Sequence, residues 1–259
     1  MAEVVSVRGV RIGEGKPKII VPIVEVSGEE ICKKAAEFSH LEIDVIEWRA
    51  DFYKDIFDLE KTQTLIKALR EAAADKALLF TFRTKKEGGQ RDIGPDYYTR
   101  LNTLAAKSGC ADLVDVEIFS GDAIVSANIA NIHAANALVI ASSHDFDKTP
   151  PKAELVGRFQ KMQDMGADIL KIAVMPQDAG DVLTLLSATW EMSQSASKPI
   201  VSMAMGAQGT VTRMVGEVFG SAATFGAIGK SSAPGQIPVE TLAQVLDILN
   251  EALDEKRDA

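Results

Sequence analysis

The sequence predicts an α/β protein built as one (β/α)8 TIM barrel, a single domain over residues 1–259 with an eight-stranded parallel core. Three observations carry that prediction. Short apolar runs recur about every 25 to 35 residues, each is followed by a helical pattern, and no low-complexity segment or linker divides the chain. Eight strands alternating with helices in roughly 250 residues is the rhythm of a barrel. A doubly wound open sheet competes with it, but that architecture favours a Gly-rich dinucleotide turn after the first run. Here the turn reads Val24-Glu25-Val26-Ser27-Gly28.

Taken in order, the runs are Lys18 to Val24, Ile43 to Arg49, Ala77 to Arg83, Asp112 to Ile118, Ala137 to Ser143, Asp168 to Val174, Pro199 to Met205 and Ala223 to Ile228. Each is short and apolar, as a strand covered on both faces requires. Ser27-Gly28-Glu29-Glu30 is a capping box ahead of the helical stretch Ile31 to Phe38. Pro95 and Pro151 fall where a first helical turn tolerates proline, and Pro238 opens the last helix. Gly109, Gly166 and Gly220 stand where helical patterns stop, as C-terminal cap glycines do.

A composition of 46% hydrophobic and 25% charged residues is that of an ordinary globular protein, and the net charge of -9 excludes partners that attract basic surfaces. No nucleic acid and no membrane is expected as a partner. Cys32 and Cys110 lie far apart with no metal-ligand spacing, and Met1-Ala2-Glu3-Val4 lacks a basic region followed by an apolar stretch. A reduced, cytoplasmic protein is the expectation.

The residue that points to chemistry is Lys171. It interrupts Ile169-Leu170-Lys171-Ile172-Ala173-Val174 and shares a strand face with Ile169 and Ala173, so its amine points into packed protein. Burial lowers an amine's pKa, and one brought to about 7 to 8 is a nucleophile at neutral pH. A lysine that snorkels to the strand end is the alternative.

In a barrel the C-terminal strand ends form the site. Those ends here are Glu47-Trp48-Arg49, Thr81-Phe82-Arg83, Asp115-Val116-Glu117 and Ser142-Ser143-His144-Asp145. Alternation puts Glu47 with Arg49, Thr81 with Arg83, Asp115 with Glu117, and Ser142 with His144. Asp115 and Glu117 read as an ion-pair network that seals the barrel top. His40 and His133 read as surface residues, and without paired His or Cys no metal is expected. Two Gly-containing loops, Lys85 to Gln90 and Ser231 to Gln236, are placed to wrap a ligand. Gly206-Ala207-Gln208-Gly209 suggests a backbone cradle for an anion, and Arg213 beyond it suits a carboxylate.

Together these segments resemble the type I 3-dehydroquinate dehydratases. The matching residues are Glu47-Trp48-Arg49-Ala50-Asp51, Phe80-Thr81-Phe82-Arg83 with Lys86-Glu87-Gly88-Gly89, Ser143-His144-Asp145-Phe146, Lys161-Met162 to Gly166-Ala167-Asp168, Lys171 to Pro176, Gly216 to Ser221, and Ser232-Ala233-Pro234-Gly235-Gln236. They follow one another in family order over nearly the whole chain. The resemblance implies a homodimeric barrel that dehydrates 3-dehydroquinate to 3-dehydroshikimate with no cofactor and no metal. It implies that Lys171 forms the imine, that His144 shuttles protons and that Glu87 orients that histidine. Glu47, Arg49, Arg83, Arg213, Ser232 and Gln236 match substrate-binding positions. Pro22 stands where many relatives carry a binding serine, which removes one hydroxyl contact; Thr212 keeps a hydroxyl where serine is common.

Two other readings fit parts of the sequence. A class I aldolase acting on a small hydroxy-keto substrate shares the lysine and the imine, but Arg213, Ser232 and Gln236 suit a carboxylate and hydroxyls better than a phosphate. A non-catalytic metabolite-binding barrel has no use for a buried neutral amine.

Overall fold

The structure is a computed structural model that describes residues 2–229 and 232–254. Ser231, at the start of one expected loop, lies outside the described residues. The chain opens with an antiparallel hairpin, β1 (Val5–Val7) and β2 (Val10–Ile12). Alternating elements follow: β3 (Lys18–Ile23), α1 (Gly28–Ser39), β4 (Val45–Arg49), α2 (Leu59–Ala72), β5 (Ala77–Thr81), α3 (Pro95–Lys107), β6 (Leu113–Glu117), α4 (Asp122–Ala134), β7 (Leu138–Asp145), α5 (Lys152–Asp164) and β8 (Ile169–Val174). Then come α6 (Ala179–Ser193), β9 (Ile200–Ala204), α7 (Gly206–Met214), α8 (Gly216–Phe219), β10 (Ala223–Ala227), β11 (Ile237–Pro238) and α9 (Val239–Asp254).

All eight expected runs form strands, β3 to β10. They pair in parallel in the order β11-β10-β3-β4-β5-β6-β7-β8-β9, and the sheet curls into a half-barrel. The expected core had eight strands; β11 is a ninth, pairing only Ile237 and Pro238 with the end of β10. Pro238 therefore belongs to that strand, and the last helix begins one residue later. Pro95 is the first residue of α3, whereas Pro151 is the cap before α5. Ser27 caps α1 by accepting the Glu30 N–H, and its hydroxyl donates to the Glu30 carboxylate at 2.7 Å.

Alternation divides the core in two. One cluster, including Val21, Ile46, Trp48, Phe80, Val116, Leu170 and Ile172, packs the sheet against the helices. The other lies on the concave face and includes Ile20, Val45, Leu79, Leu113, Ile140, Ile169, Ala173, Val201 and Phe225. Fully burying one such aliphatic or aromatic side chain contributes about 1.5 to 3 kcal/mol, so both faces hold the sheet in shape.

The hairpin was not legible from the sequence. Its three-residue strands are too short to show a period, yet Val5, Val7 and Ile12 belong to the concave-face cluster. Arg8 and Gly9 both take positive φ, 45° and 81°, as the tight hairpin turn demands. Arg8 Nε donates to both carboxylate oxygens of Asp112 at 2.7 and 2.9 Å, and Asp112 also accepts from Arg70 and the Leu78 N–H. This fastens the hairpin to the N-terminal ends of β5 and β6.

Pro22 costs the sheet little. In β3 the backbone groups of Lys18 face β10 and those of Ile19 face β4. The missing N–H of Pro22 therefore points toward β10, where pairing has already ended at Ile20 and Phe225.

Candidate active site

At the C-terminal ends of the strands lies a cavity. Its wall contains all nine residues expected there: Glu47, Arg49, Arg83, Glu87, His144, Lys171, Arg213, Ser232 and Gln236. β4 supplies Glu47 and Arg49, β7 His144, and β8 Lys171. Arg83 lies two residues past the end of β5, and Glu87 ends the short 3-10 turn Lys85–Glu87. Arg213 comes from α7.

Charge determines the geometry. Arg83 is 3% exposed and engaged throughout: its guanidinium donates to Asp115 at 2.8 Å, Glu117 at 2.9 Å and Ser142 Oγ at 3.0 Å. Glu117 also accepts from the Thr84 N–H and hydroxyl at 2.8 and 2.7 Å. Asp115 and Glu117 thus form the ion-pair network expected of them, built around this one arginine. Burial works against the Arg83 charge, but the three carboxylates Asp115, Glu117 and Glu87 outweigh it and raise its pKa well above the usual value. Arg49 is held by Asp51 through two bonds of 2.8 and 2.9 Å, and Glu47 accepts from Thr81 Oγ1 at 2.9 Å.

Lys171 is 4% exposed, which excludes the snorkelling alternative. Burial lowers its pKa, with Arg83 and Arg49 acting in the same direction, while Asp115 and Glu47 oppose them. A leucine there would contribute about 1.5 to 3 kcal/mol of burial with no desolvation cost, so the lysine is held against stability. His144 is shifted well below the usual imidazole value by burial, then by Arg83, Lys171 and Arg49, and is neutral at pH 7. Glu87 Oε2 stands 2.9 Å from His144 Nδ1 and accepts the His144 backbone N–H at 3.0 Å. Burial, with Glu117 and Asp115, raises Glu87 to about 8 against the pull of Arg83. Glu87 therefore holds its proton to higher pH than an ordinary carboxyl group.

The loop Ser232–Gln236 is docked over the cavity. Ser232 N donates to Gln236 Oε1 and Gln236 Nε2 to Ser232 Oγ, both at 3.0 Å. Pro234 O accepts from Arg213 Nη2 and from Gly206 N, each at 3.2 Å. Arg213 is 1% exposed, its Nε has no partner among the described residues, and burial brings its pKa down to about 10, so it remains a cation at neutral pH. Gly206 to Gly209, read as a backbone cradle for an anion, form the first turn of α7. A Cβ on Gly209 would stand 2.4 Å from the Ala204 backbone, so glycine serves close packing of helix on strand.

Sequence reasoning missed the apolar part of the wall, Phe146, Ala173, Met203, Met205 and Phe225. Alternation along β9 and β10 carries the signal for Met203 and Phe225, but apolar side chains at a strand end look like core. His133, read as a surface residue, pairs with Asp168 at 2.8 Å away from the cavity. Among the described residues no group of three or more His, Cys, Asp or Glu side chains is disposed to hold a metal, and no helix is long and apolar enough to cross a membrane.

The family model for type I 3-dehydroquinase matches residues 19–252. The chain belongs to the type I 3-dehydroquinase family. It is 47% identical over 247 residues to the 3-dehydroquinate dehydratase of Listeria monocytogenes serotype 4b (strain F2365), covering 95% of this chain and 98% of that one. It is 48% identical over 249 residues to the Bacillus subtilis (strain 168) 3-dehydroquinate dehydratase, covering 96% and 98%. Among solved structures it is similar to the type I 3-dehydroquinate dehydratase of Clostridium difficile with covalent modified comenic acid. That likeness has a TM-score of 0.95 at 45% identity and covers 97% of this chain and 100% of the other.

Proposed function

We propose that this protein is a type I 3-dehydroquinate dehydratase, a hydro-lyase that removes water from 3-dehydroquinate through an imine on Lys171. One observation carries the reading: a buried amine, a neutral imidazole and a carboxyl group paired to that imidazole share one cavity with three arginines.

The substrate's ketone stands beside an unactivated C–H, and removing that proton directly leaves a poorly stabilised carbanion. Lys171 attacks the ketone carbon, water leaves, and the protonated imine becomes the sink for the electron pair. His144 takes the α-proton and gives a proton to the departing hydroxyl. Because Nδ1 is engaged by Glu87, Nε2 is the nitrogen that exchanges protons. One imidazole stays on one face of the ring, so proton and hydroxyl leave from the same side. Arg213 holds the carboxylate, Ser232 and Gln236 close over it, and Glu47, Arg49 and Arg83 position the hydroxyls. Arg83 acts mainly through its carboxylate partners.

The enzyme needs no cofactor and no metal on this reading, acts in the cytoplasm, and forms one catalytic domain whose curled sheet closes as a (β/α)8 barrel. Closure is supported by the approach of the sheet's ends, where Ala222 N donates to Ile200 O at 2.7 Å and Ser202 N to Ser221 Oγ at 3.0 Å. A homodimer is supported by exposed apolar residues on neighbouring helices, Leu183 and Trp190 of α6, Val211 of α7 and Val218 of α8. Sedimentation of the protein as a monomer would remove that part of the reading.

The deciding experiment is borohydride reduction in the presence of 3-dehydroquinate, followed by peptide mass spectrometry. A reduced adduct on Lys171 is expected. An adduct elsewhere, or none at all during turnover, overturns the mechanism.

A further inference from the structure

Asp115 differs from every other acidic residue near Lys171. Its side chain is wholly buried and forms no part of the cavity wall, yet its Oδ2 lies 3.6 Å from Lys171 Nζ. Both oxygens are fixed: Ser142 Oγ donates to Oδ1 at 2.7 Å, and Arg83 Nη2 to Oδ2 at 2.8 Å. The Phe225 ring centroid stands 4.4 Å from the same Nζ. A carboxylate and a ring face both attract a cation, and neither favours a neutral amine. The surroundings of a lysine that must attack as a neutral amine therefore also favour a positive nitrogen.

The local charges explain why Asp115 retains charge for that nitrogen. Arg83 brings one positive charge to both Asp115 and Glu117. Even leaving aside Glu87, whose raised pKa favours its neutral form, two carboxylates against one guanidinium leave a negative charge in excess, and Lys171 Nζ lies beside it. Glu47 also faces Lys171, but it lines the cavity, where a ligand can engage it. Asp115 cannot be reached by a ligand.

We propose that Asp115 is the fixed counter-ion of the protonated imine on Lys171. The inference rests on the reading of Lys171 as the imine-forming residue. In that step the C–N bond forms, the C–O bond breaks, and one proton is consumed as the oxygen leaves in water; the nitrogen ends with one hydrogen, a double bond to carbon and a positive charge. When the α-proton passes to His144 the electron pair flows to this nitrogen and neutralises it, and the charge returns as the hydroxyl departs with a proton from His144. Asp115 stabilises the two charged stages, and its shorter bond to Arg83 keeps it from holding the nitrogen too tightly for the neutral stage between them.

The test is Asp115→Asn, which keeps the shape and removes the charge. The charged and titratable groups facing Lys171 are Asp115 from β6, Glu47 and Arg49 from β4, Arg83 beyond β5 and His144 from β7, and only the first is altered. Adduct formation with 3-dehydroquinate and borohydride is followed against pH alongside kcat and KM. Without the carboxylate the amine gives up its proton more readily, so the rise of trapping with pH moves to lower pH. The protonated imine is less stable, so kcat falls by about 10²- to 10³-fold, the size of losing one preorganised electrostatic partner, with KM nearly unchanged. A trapping profile that does not move, or a kcat within about threefold of the parent, overturns the assignment. If Asp115→Asn does not fold, Ser142→Ala releases Oδ1 with every charge in place. A smaller shift in the same direction supports the counter-ion, and an unmoved profile overturns it. Absence of any adduct in the parent protein overturns the imine reading itself, a result separate from an altered or unaltered profile in the variants.

Discussion

A single oxygen of Glu87, Oε2, accepts the backbone N–H of His144 at 3.0 Å and stands 2.9 Å from Nδ1 of the same residue. Main chain and ring of the histidine are thus pinned to one point, and the ring cannot turn without breaking the contact. The 3-10 turn that carries Glu87 ends at Gly88, whose φ is 84°. A Cβ there would meet the Phe146 ring at 2.2 Å, so the turn and the ring two residues after His144 pack as a unit.

The pair gives a stability prediction. Glu87 is raised by burial from 4.5 to about 8, so between those values the folded protein binds more protons than the unfolded chain. Its contribution is full below about 4.5 and is lost as pH rises toward 8. His144 is depressed, so its contribution is present above 6.5 and is lost as pH falls. Glu87→Gln, which mimics the protonated acid, should gain stability relative to the parent as pH climbs from 5 to 8, by at most about 1.4 kcal/mol per pH unit. Thermal melts at both pH values decide it; parallel changes in the two proteins would show that Glu87 titrates normally.

Replacing the nucleophile separates binding from chemistry. Lys171→Ala should lose borohydride trapping and nearly all turnover while still binding 3-dehydroquinate through Arg213 and its neighbours. Calorimetric titration and intact mass together test this. A reduced adduct elsewhere in the active site of the variant would reassign the imine.

His144→Ala should bind, form the imine slowly and accumulate covalent adduct, because the later proton transfers stall. The loss in kcat should be about 10²- to 10⁴-fold or larger, since one imidazole serves several steps. Turnover at the parent rate would place the proton shuttle on another residue.

Gly235→Ala should undo loop docking. Gly235 has φ of 79°, and a Cβ there would lie 2.3 Å from Gly206 O, a backbone atom that cannot move aside cheaply. KM for 3-dehydroquinate should rise by about tenfold or more, with the melting temperature little changed, because the strain falls on a surface loop. Steady-state kinetics of the folded variant check it; an unchanged KM would mean that docking contributes nothing to binding.

Much of this was legible in the sequence because the eight runs state their own boundaries: apolar residues, a cap or glycine, and a polar strand end. Lys171 was visible for the same reason, as a charge inside a run with no other polar residue. Glu87 was visible only through resemblance, since a loop residue has no period to betray its direction. The depressed His144 and raised Glu87 could not be read at all, because each is shifted first by burial and then by charges arriving from other elements, Arg83, Lys171 and Arg49 at His144 and Glu117, Arg83 and Asp115 at Glu87. The packing role of Gly209 was not legible, because a glycine after a strand suits either an approaching anion or an approaching backbone, and only the fold places Ala204 beside it.

The hairpin at the start of the chain has a consequence for chemistry at the opposite end of the sheet. Val5, Val7 and Ile12 fill the concave face from the N-terminal side, in the same cluster as Ile169, two residues before Lys171 on the same strand face. They serve as electrical insulation, keeping water from hydrating the amine from below. A protein lacking residues 2–12 should carry a Lys171 that titrates closer to an ordinary lysine, so that adduct trapping requires higher pH even with every cavity side chain present. If trapping followed the same pH profile, the amine's insulation would come from the cavity wall alone.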